Sequence, residues 1–262
     1  MLTNTNRMEG HTEILNTFDP ITLDEMDSVR LMNRTDTKYL FTVDLFEKVL
    51  NEVKNDYRIL EVNGQRLNRY KTLYYDTSTL SLYAEHHKGK LNRYKIRHRT
   101  YVESSAGFIE VKFKNNKGRT FKKRIKELEP PVTWDGKNDI FVKETTPYDS
   151  KILVPTIWVN YCRYTLVSKT DPERLTIDVN LEFIKDEKTR KLEGLVIAEV
   201  KQERRKPSIF LKMMKKYHIR EGSISKYCMG IALTSDQVKR NNFKGKLLKL
   251  KQLINYDYTT NT

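Results

Sequence analysis

Four cations alternate along the segment from Asn92 to Tyr101: Arg93, Lys95, Arg97 and Arg99. Successive side chains of a β-strand point to opposite faces, so a strand here would place all four cations on one face. Like charges at this spacing repel each other, and a multiply charged anion lying along the strand would relieve the repulsion. Taken alone, the segment is equally compatible with an edge strand whose basic face is solvated, a common device against aggregation.

The overall charge of the chain favours a polyanionic partner. The 262 residues include 49 Lys and Arg against 34 Asp and Glu, a formal net charge of +15. Nucleic acid, an anionic membrane surface or a phosphate-rich small molecule would each fit this excess. The two cysteines, Cys162 and Cys228, are too few for a disulfide framework or a zinc site and suggest a reducing compartment.

Neither a targeting segment nor a membrane span is predicted. The first ten residues lack the apolar region of a signal peptide. No run of about 18 apolar residues occurs, so we expect a cytoplasmic protein without a transmembrane segment. Peripheral association with a membrane partner is left open as an alternative.

Hydrophobic periodicity divides the chain into a helical arm, a main domain and a basic tail, at residues 1–29, 30–235 and 236–262. Alternating patterns predict strands at 34–42, 57–62, 69–76, 92–101, 108–114, 119–126, 157–168, 174–182 and 195–201. Helical spacing predicts helices at 43–54, 77–87, 207–217 and 223–233, and the tail is also expected to be helical.

Most of these strands combine an apolar face with a cationic face. The cations on these faces are Arg34, Lys38, Arg93, Lys95, Arg97, Arg99, Lys112, Lys114, Lys122, Arg124, Arg163, Arg174 and Lys201. A sheet closed into a barrel with a wet, cationic interior accounts for this repetition and has no free edges. The predicted fold class is therefore α+β: a closed antiparallel eight-stranded tunnel, with helices packed outside and at one tunnel end.

The cationic faces favour phosphate over nucleic acid. Proteins that bind single strands interleave aromatic stacking platforms with their cations. Here the alternation puts aromatic residues on the opposite face, apart from Tyr161. Arg and Lys bind phosphate oxygens directly, so a phosphate chain without bases is the expected ligand.

Carboxylates also occur on these faces, at Asp36, Glu110, Asp178, Glu182 and Glu199. They could bind a hard divalent cation that bridges to phosphate, or pair with neighbouring Lys and Arg. Ion pairing is favoured for Glu110 and Glu182. Metal binding is favoured for Glu199, which stands alone in an apolar strand. Neither a Gly-rich phosphate loop nor a catalytic triad is apparent.

Eight short motifs in this order resemble a known family. They are Arg34-Thr-Asp-Thr-Lys-Tyr39, Tyr74-Tyr-Asp-Thr77, Lys95-Ile-Arg-His-Arg99, Ile109-Glu-Val-Lys112, Tyr161-Cys-Arg163, Arg174-Leu-Thr-Ile-Asp178, Ala198-Glu-Val-Lys201 and Ser225-Lys-Tyr227. Together they resemble the VTC domain, the polyphosphate polymerase domain of the triphosphate tunnel metalloenzyme superfamily, in its bacterial stand-alone form. The resemblance covers roughly residues 30–235.

The resemblance implies a tunnel in which ATP donates its γ-phosphate to a growing polyphosphate chain that threads through it. Its catalytic residues would be Lys38, Arg97, Arg99, Lys112 and Arg163. Further substrate contacts would come from Lys114, Lys122, Arg124, Tyr161, Arg174, Lys201, Ser225 and Lys226. Glu199, with Asp178 and Asp36, would hold Mn²⁺ or Mg²⁺.

Three positions depart from the family pattern. Lys114 stands where the eukaryotic polymerases have a histidine, and Ser223 where they have a lysine. The Glu-x-Glu-x-Lys signature of the superfamily is here Arg34-x-Asp36-x-Lys38, which lacks the first carboxylate. A triphosphatase of the same fold, a non-catalytic polyphosphate or nucleotide-binding module and, less favoured, a nucleic-acid-binding protein remain alternatives.

Overall fold

The computed structural model describes residues 13–27 and 35–256. Arg34 and residues 1–12 and 28–29 of the predicted N-terminal arm therefore lie outside the described residues. Within the described ranges, none of the helices is long and apolar enough to cross a membrane.

Strand pairing that is antiparallel everywhere except between β1 and β3 builds one large sheet. Its main path follows the order β2-β11-β9-β8-β4-β5-β6-β7, while β1 pairs with β3, β3 with β8, and β10 with β9. The strands are β1 (Asp19–Ile21), β2 (Thr35–Thr42), β3 (Tyr57–Leu60), β4 (Asn68–Thr77), β5 (Arg93–Tyr101), β6 (Ala106–Lys114), β7 (Thr120–Lys126), β8 (Leu153–Ser168), β9 (Glu173–Lys185), β10 (Lys188–Leu192) and β11 (Leu195–Gln202). The predicted α+β fold with a large antiparallel sheet is thus confirmed. The short strands β1 and β10 were not expected from the sequence.

The register places the alternating cations of successive strands on one face. Directly paired residues point to the same side of a sheet. Arg97 pairs with Tyr74 on β4 and with Glu110 on β6, which in turn pairs with Arg124 on β7. The sheet curls, and Lys112 of β6 comes within electrostatic range of groups on β2 and β11. The cationic face is therefore concave.

The tunnel is not closed by hydrogen bonds within the described residues, contrary to the predicted closed barrel. The strand path ends at β2 on one side and at β7 on the other. Part of the outer edge of β2 is already used, because Tyr39 forms a bridge with Glu221 and the Gly222 amide donates to the Lys38 carbonyl at 2.9 Å. A side chain at Gly222 would meet Leu40 at 3.0 Å, so this close approach suits glycine. The edge that β7 would need is thus partly occupied by another segment.

Helices cover the convex face, as the sequence suggests. The helices are α1 (Leu23–Asp27), α2 (Val43–Val53), α3 (Ser81–His87), α4 (Gly136–Thr145), α5 (Ile209–Lys216), α6 (Lys226–Thr234) and α7 (Lys244–Ile254). Helix α2 buries Phe46, Val49, Leu50 and Val53, the stripe expected of an amphipathic helix. It packs with α5 over the outward residues of β2, β8, β9 and β11.

Two helices pack inside the concave face and fill one end of it. Along β2 and β11, the inward positions change from the charged pair Lys38–Glu199 to the apolar pair Leu40–Ile197. The apolar end forms one core cluster with α6 and α7, to which the latter contributes Leu247 and Leu250. We call α6 and α7 the plug helices. They leave the charged half of the concave face as the space for a ligand.

Candidate functional site

The charged half of the concave face brings together seven cations and three carboxylates, which we call the cationic chamber. The carboxylates are Glu110, Asp178 and Glu199. Each carboxylate forms ion pairs with at least two cations, which come from other elements or from other positions of its own strand. The cations are Lys38, Arg97, Arg99, Lys122, Arg163, Lys201 and Lys226.

Glu110 joins the three strands β5, β6 and β7. One of its carboxylate oxygens accepts from Nε and Nη2 of Arg97 at 2.8 and 2.6 Å, and the other lies 2.5 Å from Nζ of Lys122. Arg99 approaches the same carboxylate at 3.9 Å. Burial alone would raise the pKa of Glu110, but the three cations hold it well below its usual range. Glu110 is therefore a fixed negative charge, as its predicted ion pairing requires.

Asp178 anchors the opposite wall. Its two carboxylate oxygens accept hydrogen bonds from Nε and Nη2 of Arg163 at 2.5 and 2.9 Å, in the bidentate geometry that arginine offers to a carboxylate. Lys226, the first residue of plug helix α6, also donates to it. Burial opposes ionisation of Asp178, yet Arg163 and Lys226 keep its pKa well below normal.

Glu199 lies between two lysines. It accepts from Nζ of Lys38 at 2.5 Å and from Lys201. Lys201 donates in addition to the Thr176 hydroxyl at 3.1 Å. Although burial would raise the pKa of Glu199, Lys201 and Lys38 bring it well below its ordinary value.

These ion pairs bear on the predicted metal site. Among residues 13–27 and 35–256, no three His, Cys, Asp or Glu side chains converge in a metal-binding group. Asp178 and Glu199 already accept from two cations each, and Asp36 lies opposite Lys201 in the sheet. The protein side chains therefore do not form a metal site by themselves, and we derive no chemical step through a metal.

Tyrosines lie beneath the arginines of the chamber. Tyr70 and Tyr161 stack at 5.0 Å between ring centroids. The guanidinium of Arg163 lies 5.0 Å from the Tyr70 centroid and 5.3 Å from that of Tyr161, and Arg99 lies at 5.5 and 5.9 Å. The expectation that only Tyr161 would share the cationic face was wrong, since Tyr70 and Tyr74 also lie on it. All three rings are buried under cations, so they do not provide exposed stacking platforms for bases.

The Tyr161 hydroxyl is a polar group without a hydrogen-bond partner among the described residues. Its side chain is 3% exposed, and Lys226 lies 4.6 Å from its ring centroid. A buried hydroxyl without a partner is costly. An anion that entered this ring of cations would accept its hydrogen bond.

Tyr74 and Ser225 connect the chamber to the plug helices. The Tyr74 hydroxyl lies 3.0 Å from Nη1 of Arg97, and its ring stacks on Tyr227 at 5.0 Å. Burial would raise the pKa of Tyr74, but Arg97 and Lys95 outweigh it and lower the pKa to about 8. Ser225 caps α6 by accepting from the Cys228 amide at 3.2 Å, and it also accepts from Nζ of Lys95 at 2.9 Å. The amino-terminal end of α6 is therefore held at the floor of the chamber.

The remaining predicted residues lie at the margins. Arg124 of the exposed strand β7 packs over the Phe108 ring at 4.5 Å. Arg174 lies opposite Lys201 in the β9–β11 register. Lys112 and Lys114 are exposed on β6, on the side of the chamber nearer the plug.

Sequence reasoning missed the structural importance of Tyr70, Tyr74 and Asp76. Asp76 is buried and accepts from the amides of Leu82 and Tyr83 and from the Tyr227 hydroxyl, which ties α3 and α6 to β4. The signal was present in the motif Tyr74-Tyr-Asp-Thr77, whose alternation places Tyr74 and Asp76 on one face.

Comparison with known proteins agrees with this arrangement. The VTC domain family model matches residues 33–133 and 135–235. No curated protein matches the chain.

Several solved structures show distant similarity. A proposed adenylate cyclase from Bacillus halodurans has a TM-score of 0.46 and 11% identity, over 74% of this chain and 96% of that one. A proposed adenylyl cyclase from Hippeastrum, described as having a dominant triphosphatase activity, has a TM-score of 0.44 and 13% identity, over 76% and 95%. The PH1819 protein of Pyrococcus horikoshii has a TM-score of 0.42 and 11% identity, over 75% and 95%. These likenesses are too distant to carry an argument about activity.

The family model, in contrast, spans most of the chain and includes the strands that build the chamber. The resemblance found in the sequence motifs is thereby confirmed: the chain belongs to the VTC domain family.

Proposed function

We propose that the chamber binds the triphosphate of ATP and transfers the γ-phosphoryl group to the end of an inorganic polyphosphate chain. The observation that carries this proposal is the imbalance of charge in the chamber, where seven cations share three carboxylates. The excess positive charge belongs to Arg and Lys side chains whose positions are fixed by ion pairs with the three carboxylates. Such a preorganised set of donors suits the several charges of a triphosphate.

The reaction would be an in-line displacement. A terminal oxygen of the acceptor phosphate forms a bond to the γ-phosphorus, the bond from that phosphorus to the β–γ bridging oxygen breaks, and ADP leaves with the bonding electron pair. Arg97, Arg99 and Arg163 would stabilise the charge on the transferring group, and Tyr161 would donate a hydrogen bond. The protein contributes position and electrostatic stabilisation, as in other phosphoryl transfers.

The state of the carboxylates favours phosphate over water as the acceptor. Water must lose a proton as it attacks, and a suitable general base has a pKa near the working pH. The cations around Glu110, Asp178 and Glu199 hold their pKa values well below the usual range, so these groups are weak bases. A phosphate oxygen is already ionised and needs no base.

The family is associated with divalent metals, and dependence on Mn²⁺ or Mg²⁺ is part of the proposal. The metal would supply positive charge on the phosphate oxygens. Glu199 is the carboxylate that we expect to face it, after release from Lys38 or Lys201.

The test is to incubate the pure protein with ATP and Mn²⁺ and to separate the products on a gel that resolves polyphosphate. Long chains together with ADP support the proposal. Free phosphate alone would identify a triphosphatase, and tight triphosphate binding without turnover would identify a binding module. The Arg97→Ala/Arg99→Ala variant should lose activity and weaken triphosphate binding by about a hundredfold or more, since charge-assisted contacts contribute roughly 1.5–3 kcal/mol each. A matched control is Lys117→Ala/Lys123→Ala, which removes two charges from the β6–β7 hairpin outside the chamber, and normal activity of the arginine variant would contradict the proposed site.

A further inference from the structure

The orientation of Arg97 depends on an uncharged residue as well as on a carboxylate. In the sheet, Arg97 lies between Tyr74 on β4 and Glu110 on β6, so the three side chains form a row across three strands. Glu110 accepts from Nε and Nη2 of Arg97, and the Tyr74 hydroxyl accepts from Nη1 at 3.0 Å. Because a guanidinium has five N–H donors, these three contacts leave two N–H groups for a phosphate.

Arg99, two residues further along the same strand, is held less closely. Its Nε lies 3.4 Å from the Thr72 hydroxyl, and its Nη1 lies 3.9 Å from Glu110. Arg97 has shorter contacts on both neighbouring strands. Of these two arginines, Arg97 therefore has the better defined orientation, which matters for a reaction that depends on positioning.

Plug helix α6 holds Tyr74 in place. The Tyr74 ring is buried and stacks on the ring of Tyr227 at 5.0 Å between centroids. The Tyr227 hydroxyl donates in turn to Asp76, a buried carboxylate on the same strand as Tyr74. The Tyr74 ring cannot turn without displacing Tyr227, so its hydroxyl stays beside Arg97.

The proton of the Tyr74 hydroxyl determines what Arg97 can offer to a ligand. Arginine has no hydrogen-bond acceptor, so a hydroxyl that accepts from Arg97 directs its own proton elsewhere. Neutral Tyr74 thus orients Arg97 without cancelling its charge. An ionised Tyr74 would form an ion pair with Arg97 and compete with phosphate for it.

The surroundings of Tyr74 favour the loss of this proton when no ligand is bound. Tyr227 faces Tyr74 from α6, and Ile157 lies opposite it on β8. The cations that act on it are Lys95, Arg97 and Arg99 of β5. Burial would raise the pKa of Tyr74, but these cations outweigh burial and lower it to about 8. An anion bound in the chamber opposes the ionisation, because both negative charges would share the same cations.

We propose that Tyr74 is a positioning residue for phosphoryl transfer: its neutral hydroxyl holds Arg97 so that two N–H groups serve the transferring phosphoryl group, and loss of its proton withdraws Arg97 from the ligand. This inference rests on the proposed function of the chamber. Tyr74 acts through Arg97 and needs no contact of its own with the substrate.

Tyr74→Phe tests the proposal, because it removes the hydroxyl and keeps the ring that stacks on Tyr227. The kcat for polyphosphate synthesis from ATP at pH 7 should fall about tenfold, the size expected for one charge-assisted hydrogen bond. The KM for ATP should stay within about threefold, since Arg97 keeps its charge and a positioning effect is expressed in kcat.

Tyr75→Phe is the matched control, from the next position of the same strand. Tyr75 is also buried, and its hydroxyl donates to the Pro131 carbonyl at 2.8 Å on the opposite face of the sheet. Loss of either hydroxyl can lower the melting temperature. Only Tyr74→Phe should lose rate, while Tyr75→Phe should keep its kcat within about twofold.

Proton uptake during binding of tripolyphosphate gives a second readout that does not depend on turnover. At pH 8 about half of Tyr74 is ionised in the free protein, and the bound anion returns it to the neutral form. Calorimetry in buffers of different ionisation enthalpy should show that Tyr74→Phe takes up as much as about half a proton less than the unchanged protein. Burial holds the pKa of Tyr75 well above its ordinary value, so Tyr75→Phe should match the unchanged protein. Protons taken up by the ligand and by the chamber lysines are common to all three proteins and cancel in the comparison.

The outcomes separate this inference from the proposed function. If the unchanged protein makes polyphosphate and Tyr74→Phe keeps its kcat or its proton uptake, the role of Tyr74 is overturned while the proposed function stands. Equal losses of rate in Tyr74→Phe and Tyr75→Phe would also overturn it. If the unchanged protein binds tripolyphosphate but makes no polyphosphate, the proposed function is overturned, and the proton uptake of Tyr74→Phe then decides whether Tyr74 responds to the ligand. Absence of tripolyphosphate binding would overturn both.

Discussion

The chamber adjoins a second group of cations on β5 and β6, which we call the cationic groove: Arg93 lies opposite Lys114, and Lys95 opposite Lys112. The two regions contain the same residue types, but they differ in their carboxylates. In the chamber, Glu110, Asp178 and Glu199 each bridge cations from different positions of the sheet. In the groove, Arg93, Lys95, Lys112 and Lys114 face one another without such a bridge among the described residues. The chamber cations therefore have fixed partners without a ligand, whereas no salt bridge among the described residues offsets the repulsion between the groove cations.

Because of this difference, the chamber and the groove are suited to different interactions with an anion. Cations fixed by carboxylates are preorganised and suit a step in which phosphoryl geometry matters. Cations without carboxylates retain their full attraction for an added anion.

The largest effect is expected for Glu110→Gln, which would make the chamber resemble the groove. The change leaves Arg97, Arg99 and Lys122 without their shared carboxylate. Breaking a buried charge cluster in this way should cost about 3 kcal/mol of unfolding free energy, measured by chemical denaturation without ligand.

Tripolyphosphate should restore more stability to this variant than to the unchanged protein, since it supplies the missing negative charge. The matched control is Glu182→Gln, because Glu182 is partly exposed and is 3.8 Å from Lys191. Equal stability of Glu110→Gln and Glu182→Gln would mean that the chamber carboxylates do not organise their cations.

A smaller effect is expected from pH. The ordinary pKa of Lys112 is 10.5, and enclosure together with Arg97 and Lys95 lowers it to about 8. The ammonium form is therefore present below pH 8 and is lost in the free protein as the pH rises through this value. Tyr74, with a pKa of about 8, gains a negative charge over the same range. A bound anion favours the more positive state of both groups, so affinity for tripolyphosphate should fall above pH 8, by up to about tenfold per pH unit for each group.

The variant Lys112→Arg/Tyr74→Phe should make this dependence less steep, because arginine stays protonated and phenylalanine does not ionise. Lys122 and Lys201, whose pKa values burial also lowers to about 8, account for the pH dependence that remains. The terminal phosphates of tripolyphosphate also titrate in this range, but they contribute equally to binding by the unchanged protein and by the variant, so the difference between the two isolates the protein groups. Titration of tripolyphosphate binding between pH 7 and 9 checks the prediction, and an equally steep decline in the variant would assign the pH dependence to other groups.

The smallest effect is expected from a divalent metal added to the ligand-free protein. The three chamber carboxylates are held in ion pairs, and no three potential metal ligands converge among the described residues. Mn²⁺ or Mg²⁺ alone should therefore not measurably raise the melting temperature. Metal added together with tripolyphosphate should raise it beyond the effect of tripolyphosphate alone, because phosphate oxygens complete the ligand set. A clear stabilisation by metal alone would reveal a site made by the protein.

Much of the chamber could be predicted from the sequence. Strict alternation in Arg93–Tyr101 and in Glu173–Lys185 requires opposite faces of different character. The ion pairing of Glu110 also followed from alternation, since it shares a face with the cations of its own strand. The fold class was predictable to the level of a large antiparallel sheet with helices, because helical and strand periodicities are local properties.

Other features depend on which strands become neighbours, and alternation contains no such information. Leu40 and Lys38 share a face of β2, yet one packs against the plug helices and the other enters the chamber. The edge of β2 is partly taken by Glu221 and Gly222, a contact between residues far apart in sequence. The open path from β2 to β7 could therefore not be foreseen from either strand.

The sequence by itself determined which residue types lie on each strand face and, through its motifs, the family to which the chain belongs. The tertiary structure decided which of those cations are fixed by carboxylates and which are not. The reason is physical: a salt bridge such as Arg163–Asp178 or Lys38–Glu199 requires atoms on different strands to approach within a few ångströms. Only the register and curvature of the sheet bring such atoms together.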